Sequence, residues 1–295
     1  MLRAYHIEVL IGSFQLRVER YETKGKRNFI MGENGSGKST FLKALCGINT
    51  LVNGSIYVGE KRVDGLPSWK RKISYIPQNL LLFPQYTVKQ NLAISIRYGN
   101  GNPDIYRDVV KVMHLENMLE RSVREISGGE AQRVAVARAL ISDPDVILMD
   151  EPFSMQDERS RMSLISSLFD LIDKFDMTYI YVTHNSRDLE LGYDSLTILD
   201  NGKIGESVSS IGELRSYRSW VLMDYRNIIK IGDRYYRVNS NAIIQDKNGY
   251  RTACSFNGRF YVCTVQINGE KYFFTSPREY DAVTFDLSGA QELDG

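Results

Sequence analysis

The run Gly32-Glu33-Asn34-Gly35-Ser36-Gly37-Lys38-Ser39-Thr40 constrains this chain more than any other stretch. It fits G-x-x-x-x-G-K-[ST], a phosphate-binding loop. An apolar run, Asn28–Ile30, precedes it, and Lys38–Leu45 reads as a helix after it, which is the strand–loop–helix context such a loop requires. The glycines let the backbone curl so that its N–H groups face a phosphate, and the helix adds its positive N-terminal end. Lys38 is placed to reach the β- and γ-oxygens of a nucleotide, and Ser39 to give its hydroxyl to Mg²⁺.

The surrounding pattern is α/β. Phe29–Met31, Ser74–Ile76, Val146–Met149 and Tyr179–Thr183 read as short buried strands, and Gly129–Ile141 and Arg159–Lys174 as helices. All-apolar strands followed by helices suggest a parallel sheet covered on both faces. Pro103–Arg124 is polar and helix-rich and reads as part of a helical lobe over about 79–128. The texture changes near residue 222. From 223 to 295, Gly232-Asp233, Asn248-Gly249, Asn257-Gly258 and Asn268-Gly269 punctuate runs rich in Tyr, Phe, Val, Ile and Thr, as in a small antiparallel barrel or sandwich.

The chain has 295 residues, a net charge of +1 and 43% hydrophobic residues. Near-balanced charge excludes a nucleic-acid binder held by bulk charge. No apolar run reaches the roughly 18 residues that span a bilayer. The N-terminus, with charges inside its apolar stretch, reads as a first strand and not as an export signal. A reducing compartment is expected from the cysteines, which number only three. A two-residue turn at Asn257-Gly258 would place Cys254 opposite Tyr261 and Cys263 opposite Thr252. That register separates the two sulfurs and predicts small thiols, neither a disulfide nor zinc ligands.

Further residues extend the phosphate chemistry. Val146–Asp150-Glu151 is a strand ending in two carboxylates, with Asp150 placed for Mg²⁺ and Glu151 for polarising the attacking water. Gln78 follows a short strand and could touch both the metal and the water. Ser127-Gly128-Gly129-Glu130 opens a helix and forms a second anion nest. Since the first loop already serves a nucleotide in this chain, the economical role of the nest is to serve one on a partner copy. His184 ends another strand.

The ordered set Gly32–Thr40, Gln78, Ser127–Arg133, Val146–Glu151, Ser154–Asp157 and His184 resembles the ATP-binding cassette (ABC) ATPases over residues 1 to about 220. The resemblance implies a P-loop nucleotide-binding domain with a mostly parallel sheet and a helical lobe, followed by a small all-β, oligonucleotide-fold-like regulatory domain. It implies ATP and Mg²⁺, with metal contacts from Ser39, Gln78 and Asp150 and catalytic roles for Glu151, Gln78 and His184. It implies a homodimer sandwiching two ATP molecules. Gly32, Asn34, Gly35, Ser36, Gly37, Lys38, Ser39 and Thr40 of one chain would act with Ser127, Gly128, Gly129 and Glu130 of the other. Asp157 matches the end of the loop that crosses the dimer. Phe14 is the expected adenine-stacking aromatic, with Tyr5 the alternative.

Two positions depart from the usual pattern. Glu130 stands where Gln is usual, and Gln156 where an apolar residue is usual. The stretch from Lys38 to Ser127 is too short for the coiled coil of chromosome-associated relatives. Leu82–Leu92 is similar to the segment by which importer ATPases dock a membrane permease. Ile11–Val18, Leu66-Pro67 and Tyr225–Lys230 look most like molybdate/tungstate importers, with importers of sugars, polyamines, iron or another anion as alternatives, and an ABC ATPase without a transport role as a further one. The expected partners are a second copy, a permease and, indirectly, a solute-binding protein, with no nucleic acid. The expected place of work is the cytoplasmic face of the membrane.

Overall fold

The computed structural model describes residues 1–98, 103–208, 228–231, 234–237, 243–256, 261–267, 270–276, 280–285 and 291–293. The chain divides into two units, Met1–Ser207 and Val208–Gly295.

In chain order the first unit begins with β1 (Leu2–Ile11), β2 (Phe14–Glu22), β3 (Arg27–Met31), α1 (Lys38–Cys46), β4 (Asn53–Val58), β5 (Lys61–Arg62) and β6 (Ile73–Ile76). It continues with α2 (Val88–Tyr98), α3 (Pro103–Val112), α4 (Gly128–Ile141), β7 (Val146–Asp150), α5 (Glu158–Lys174), β8 (Thr178–Val182), β9 (Ser195–Asp200) and β10 (Lys203–Val208). These strands form one ten-stranded sheet in the order β5-β4-β1-β2-β10-β9-β3-β8-β7-β6.

Strands β9, β3, β8, β7 and β6 run parallel. Every residue of β7 and β8 is buried, which is why they read as unbroken apolar runs. Phe29, Phe169, Tyr179 and Tyr181 pack together on this sheet, with Phe169 and Tyr179 stacked at 4.5 Å. The other half of the sheet is an antiparallel arm, β2-β1-β4-β5, whose alternating residues Leu2, Ala4, Ile7, Val9, Leu16 and Val18 bury against α1. Parallel strands present their carboxyl ends along one edge, and the loops after β3, β6, β7 and β8 meet there.

The second unit is built of strands among its described residues. β11 (Ile228–Ile231), β12 (Arg234–Arg237), β13 (Ile243–Phe256), β14 (Tyr261–Ile267), β15 (Glu270–Ser276), β16 (Ala282–Phe285) and β17 (Gln291–Leu293) form sheets of three and four strands. Ile231 pairs with Arg234 and Ile267 with Glu270, so two-residue links join these strands. Gly232-Asp233, Asn257-Gly258 and Asn268-Gly269 themselves lie outside the described residues.

Two expectations are corrected here. Asn248-Gly249 is not a hairpin turn; it lies inside β13, where Gln245 and Tyr250 both pair with Val283 and the residues between form a bulge. Cys254 and Cys263 are joined in a disulfide, with Cα atoms 4.0 Å apart. The physical reason is register. Phe256 pairs with Tyr261, four residues and not two separate them, and Cys254 comes to lie directly opposite Cys263. Among the described cysteines only Cys46, which is buried, is free.

Candidate functional site

A cleft of about 610 Å³ opens at the carboxyl edge of the sheet, a size usual for small-molecule sites. It is lined by Ile11, Phe14, Asn34, Gly35, Gly37, Lys38, Ser39, Thr40, Gln78, Asp150, Glu151 and His184. Five separate places in the chain supply these side chains, the first being the β1–β2 turn with Ile11 and Phe14. The phosphate loop follows β3, Gln78 follows β6, Asp150 and Glu151 end β7, and His184 follows β8.

The loop is shaped by its own sequence. Gly37 stands before α1 at φ 106°, in the left-handed region. Helix α1 has no side-chain cap and no acidic residue in its first turn, so its N-terminus is left positive toward the cleft. Lys38 is buried, and its ammonium donates to Gly32 O at 2.7 Å and Glu33 O at 2.8 Å. Burial pulls its pKa down, while Glu151, Asp150 and Glu33 pull the other way. Ser36 is buried, and its Oγ has no hydrogen-bond partner among the described residues. Gly32 and Ser36 belong to the loop but do not line the cleft.

Asp150 is buried at the end of β7 and accepts from the Tyr75 hydroxyl at 3.1 Å. Glu151 holds φ 51°, an unusual backbone for a non-glycine residue, with its N–H on Val182 O at 3.1 Å. Its carboxylate meets His184 Nδ1 at 2.7 Å. Ser39, Gln78 and Asp150 bring hard oxygen donors to one place, the donor type that Mg²⁺ takes alongside substrate phosphates. Among the described residues no cluster of three or more His, Cys, Asp or Glu could hold a metal.

Phe14 begins β2 and lines the cleft. Its ring also packs on the core and over Gly37, where an added Cβ would lie 2.8 Å from Phe14 Cζ. Tyr5 does not reach the cleft; its hydroxyl bonds Glu22 on the antiparallel arm. Ser127, Gly128, Gly129, Glu130 and Asp157 stand outside the cleft of their own chain. Ser127 caps α4 in a reciprocal box, with Glu130 N–H on Ser127 Oγ at 3.3 Å and Ser127 N–H on Glu130 Oε2 at 2.7 Å. Asp157 caps α5, accepting from Ser160 N at 3.0 Å. Sequence reasoning passed over Tyr75 and Ile11. The parallel pairing of β6 with β7 is the signal that would have brought Tyr75 to Asp150.

A sequence profile of the ABC transporter family matches residues 18–154. The spermidine/putrescine import ATP-binding protein of Legionella pneumophila is 30% identical over 273 residues, covering 90% of this chain and 72% of that protein. This chain belongs to the ABC transporter ATPases. It is accordingly an ATP-binding, ATP-hydrolysing subunit coupled to transport. The molybdate/tungstate import ATP-binding protein of Pyrococcus horikoshii is 35% identical over 221 residues, covering 73% of this chain and 63% of that protein. A dimeric ATP-binding cassette bound to ADP and phosphate superposes with a TM-score of 0.63 at 24% identity, covering 71% of this chain and 98% of that one. That likeness is one of fold. Among the described residues no helix is long and apolar enough to cross a membrane.

Proposed function

We propose that this ABC ATPase powers import of a small solute through a separate membrane permease, working as a pair of identical chains on the cytoplasmic face. The observation that carries the reading is the division of the anion-binding parts. Lys38, Ser39, Gln78, Asp150, Glu151 and His184 share one cleft, while the Ser127–Gly129 nest stands outside it. A nest that cannot serve its own chain's nucleotide is accounted for if it serves a partner's.

In this reading the phosphate loop holds the triphosphate of ATP, and Lys38 trades its two backbone carbonyls for β- and γ-oxygens. Mg²⁺ would be held by Ser39, Gln78 and Asp150 and would neutralise charge on the phosphates. Tyr75 holds the Asp150 carboxylate in place for this. Glu151 orients and deprotonates the attacking water, and His184, bonded to it, faces the γ-phosphate. Phe14 offers its exposed ring face to adenine. Asp157 ends the loop that would cross to the partner. The division of labour puts hydrolysis in the first unit and regulation in the second.

Leu81, Phe83 and Tyr86 are exposed, on a segment fastened by Asn91 and Arg138. They offer an apolar surface for the permease. For the solute, 35% identity to the molybdate/tungstate protein supports an oxyanion. Coverage of 90% of this chain by the spermidine/putrescine protein supports a polyamine as the second reading.

The test is reconstitution with the permease that co-purifies. Molybdate transport dependent on ATP would support the first solute and spermidine transport the second. Failure of a cysteine at 127 to cross-link with ATP to the phosphate loop of a second copy would refute the paired arrangement.

A further inference from the structure

The segment that leaves β7 is held in a chain of contacts that ends on the second anion nest. Ser154 N–H bonds Glu151 O at 3.3 Å, and Gln156 N–H bonds Phe153 O at 3.2 Å, so Glu151 to Gln156 is a run of tight turns around the buried Phe153. Gln132, fully buried on α4, donates to Ser154 Oγ at 3.2 Å and accepts from Met155 N at 3.1 Å. Gln156 Nε2 then donates to Gly129 O at 2.8 Å.

Both glycines of the nest lie under this segment. A Cβ added to Gly128 would lie 2.8 Å from Met155 Sδ, and one added to Gly129 would lie 2.6 Å from Gln156 Nε2. The nest is thus glycine-built on two counts, for its backbone curl and for the side chains seated on it. An apolar residue at 156 could fill the same space but could not donate to the Gly129 carbonyl.

We propose that Gln156 is a positioning residue that ties the Ser127–Gly129 nest to the segment carrying Glu151, so that a nucleotide held against the nest by a partner copy is felt at this chain's own hydrolytic carboxylate. The inference rests on the paired arrangement proposed above. Four residues of tight turn separate Glu151 from Gln156, and one hydrogen bond joins Gln156 to the nest. A small shift of the Gly129 carbonyl therefore has a short, stiff route to Glu151. Coupling of this kind is a free energy, read as the dependence of hydrolysis at one site on nucleotide at the other.

Full-length Gln156→Leu and Gln156→Met keep the volume and remove the donor. ATP hydrolysis is measured against ATP concentration, with ATP-dependent cross-linking run in parallel on a Ser127→Cys chain that keeps the wild-type Gln156. The Ser127→Cys chain should cross-link, and the wild type should show a Hill coefficient above 1. Both variants should bind nucleotide within about two-fold of wild type, lose about 3–10-fold in kcat, the worth of one hydrogen bond, and fall toward a Hill coefficient of 1. Wild-type kcat and Hill coefficient in both folded variants, with the Ser127→Cys chain cross-linking normally, would overturn the role of Gln156 and leave the paired arrangement standing. A Ser127→Cys chain that never cross-links would overturn both.

Discussion

Arg71 offers a test of what fixes the phosphate loop's helix. The side chain is 6% exposed and lies under the C-terminal end of α1. Its guanidinium donates to Leu66 O at 2.9 Å, Leu45 O at 3.1 Å and Asp64 O at 2.8 Å, with a longer contact to Ala44 O at 3.4 Å. A cation at a helix C-terminus also meets the negative end of the dipole. Arg71→Met keeps most of the stem and removes every donor. Three charge-assisted bonds at about 1.5–3 kcal/mol each give a gross loss of about 5–9 kcal/mol. Burying a guanidinium costs several kcal/mol, a cost that the variant escapes, and burial does hold the Arg71 pKa down. The net loss is about 2–4 kcal/mol. For a unit of this size each kcal/mol moves the midpoint by about 2–4 °C, so the cassette melting temperature should drop by about 4–16 °C. Scanning calorimetry on the whole chain is the assay. Gly47, at φ 81°, faces the same group, and a Cβ there would lie 2.4 Å from Arg71 Cζ. Gly47→Ala should therefore cost less in an Arg71→Ala background than alone. A midpoint for Arg71→Met within about 2 °C of wild type would refute the account of Arg71 as the clamp on α1.

Three other outcomes are expected. Glu151→Gln should cut kcat by about 10²–10⁴-fold with ATP binding kept and melting unchanged, since its partner His184 is 64% exposed; hydrolysis at the wild-type rate would remove Glu151 from the mechanism. Tyr75→Phe should raise the Mg²⁺ concentration needed for half-maximal hydrolysis about 10-fold while leaving nucleotide binding without metal unaltered, measured by Mg²⁺ titration. Reducing the Cys254–Cys263 bridge, which closes a separation of nine residues, should destabilise the second unit by about 2.5–3 kcal/mol, seen as a lower-melting transition in dithiothreitol.

The parts of the fold legible in the sequence are those whose physics is local or periodic. β7 and β8 are buried on both faces, and Val146–Met149 and Tyr179–Val182 within them are therefore apolar runs. The phosphate loop needs glycines and a lysine at fixed spacing, and Gly37, Lys38 and Ser39 stand in the cleft as that spacing requires. What escaped is set by pairing between distant residues. Asn257-Gly258 lies outside the described residues, but the strands on either side pair with four residues between Phe256 and Tyr261 where the hairpin signal expected two, and that register brings Cys254 opposite Cys263. Asn248-Gly249 carries the same dipeptide and is absorbed as a bulge, because β13 continues along Val283. The contacts of Tyr75 with Asp150 and of Gln156 with Gly129 join residues 75 and 27 positions apart, and no local pattern announces either.

The two helix N-termini that carry the anion chemistry are built differently, and the difference makes a prediction. α1 opens with no side-chain cap and no acidic residue in its first turn, so its end is positive. α4 opens with Ser127 and Glu130 closing on each other, which uses the N–H groups of both and sets a carboxylate beside the nest. The backbone N–H of Ser127, joined by its side chain, holds the Glu130 pKa below the usual carboxylate value. A lowered carboxylate stabilises the cap at pH above its unfolded pKa, and that support is lost as pH falls through the lower folded value. Above that range the charge opposes any phosphate brought to the nest. Glu130→Gln keeps a side chain able to close the box and removes the charge. Repulsion between an exposed carboxylate and a phosphate is on the scale of other exposed charge pairs, about 0.2–1 kcal/mol, so the variant should cross-link to its partner at about 1.5–5-fold lower ATP concentration. It should also lose the acid limb that Glu130 contributes to the melting-temperature profile. If the nest meets a partner's phosphate, the variant cannot need more ATP than the wild type to pair; a requirement for more would place the anion elsewhere.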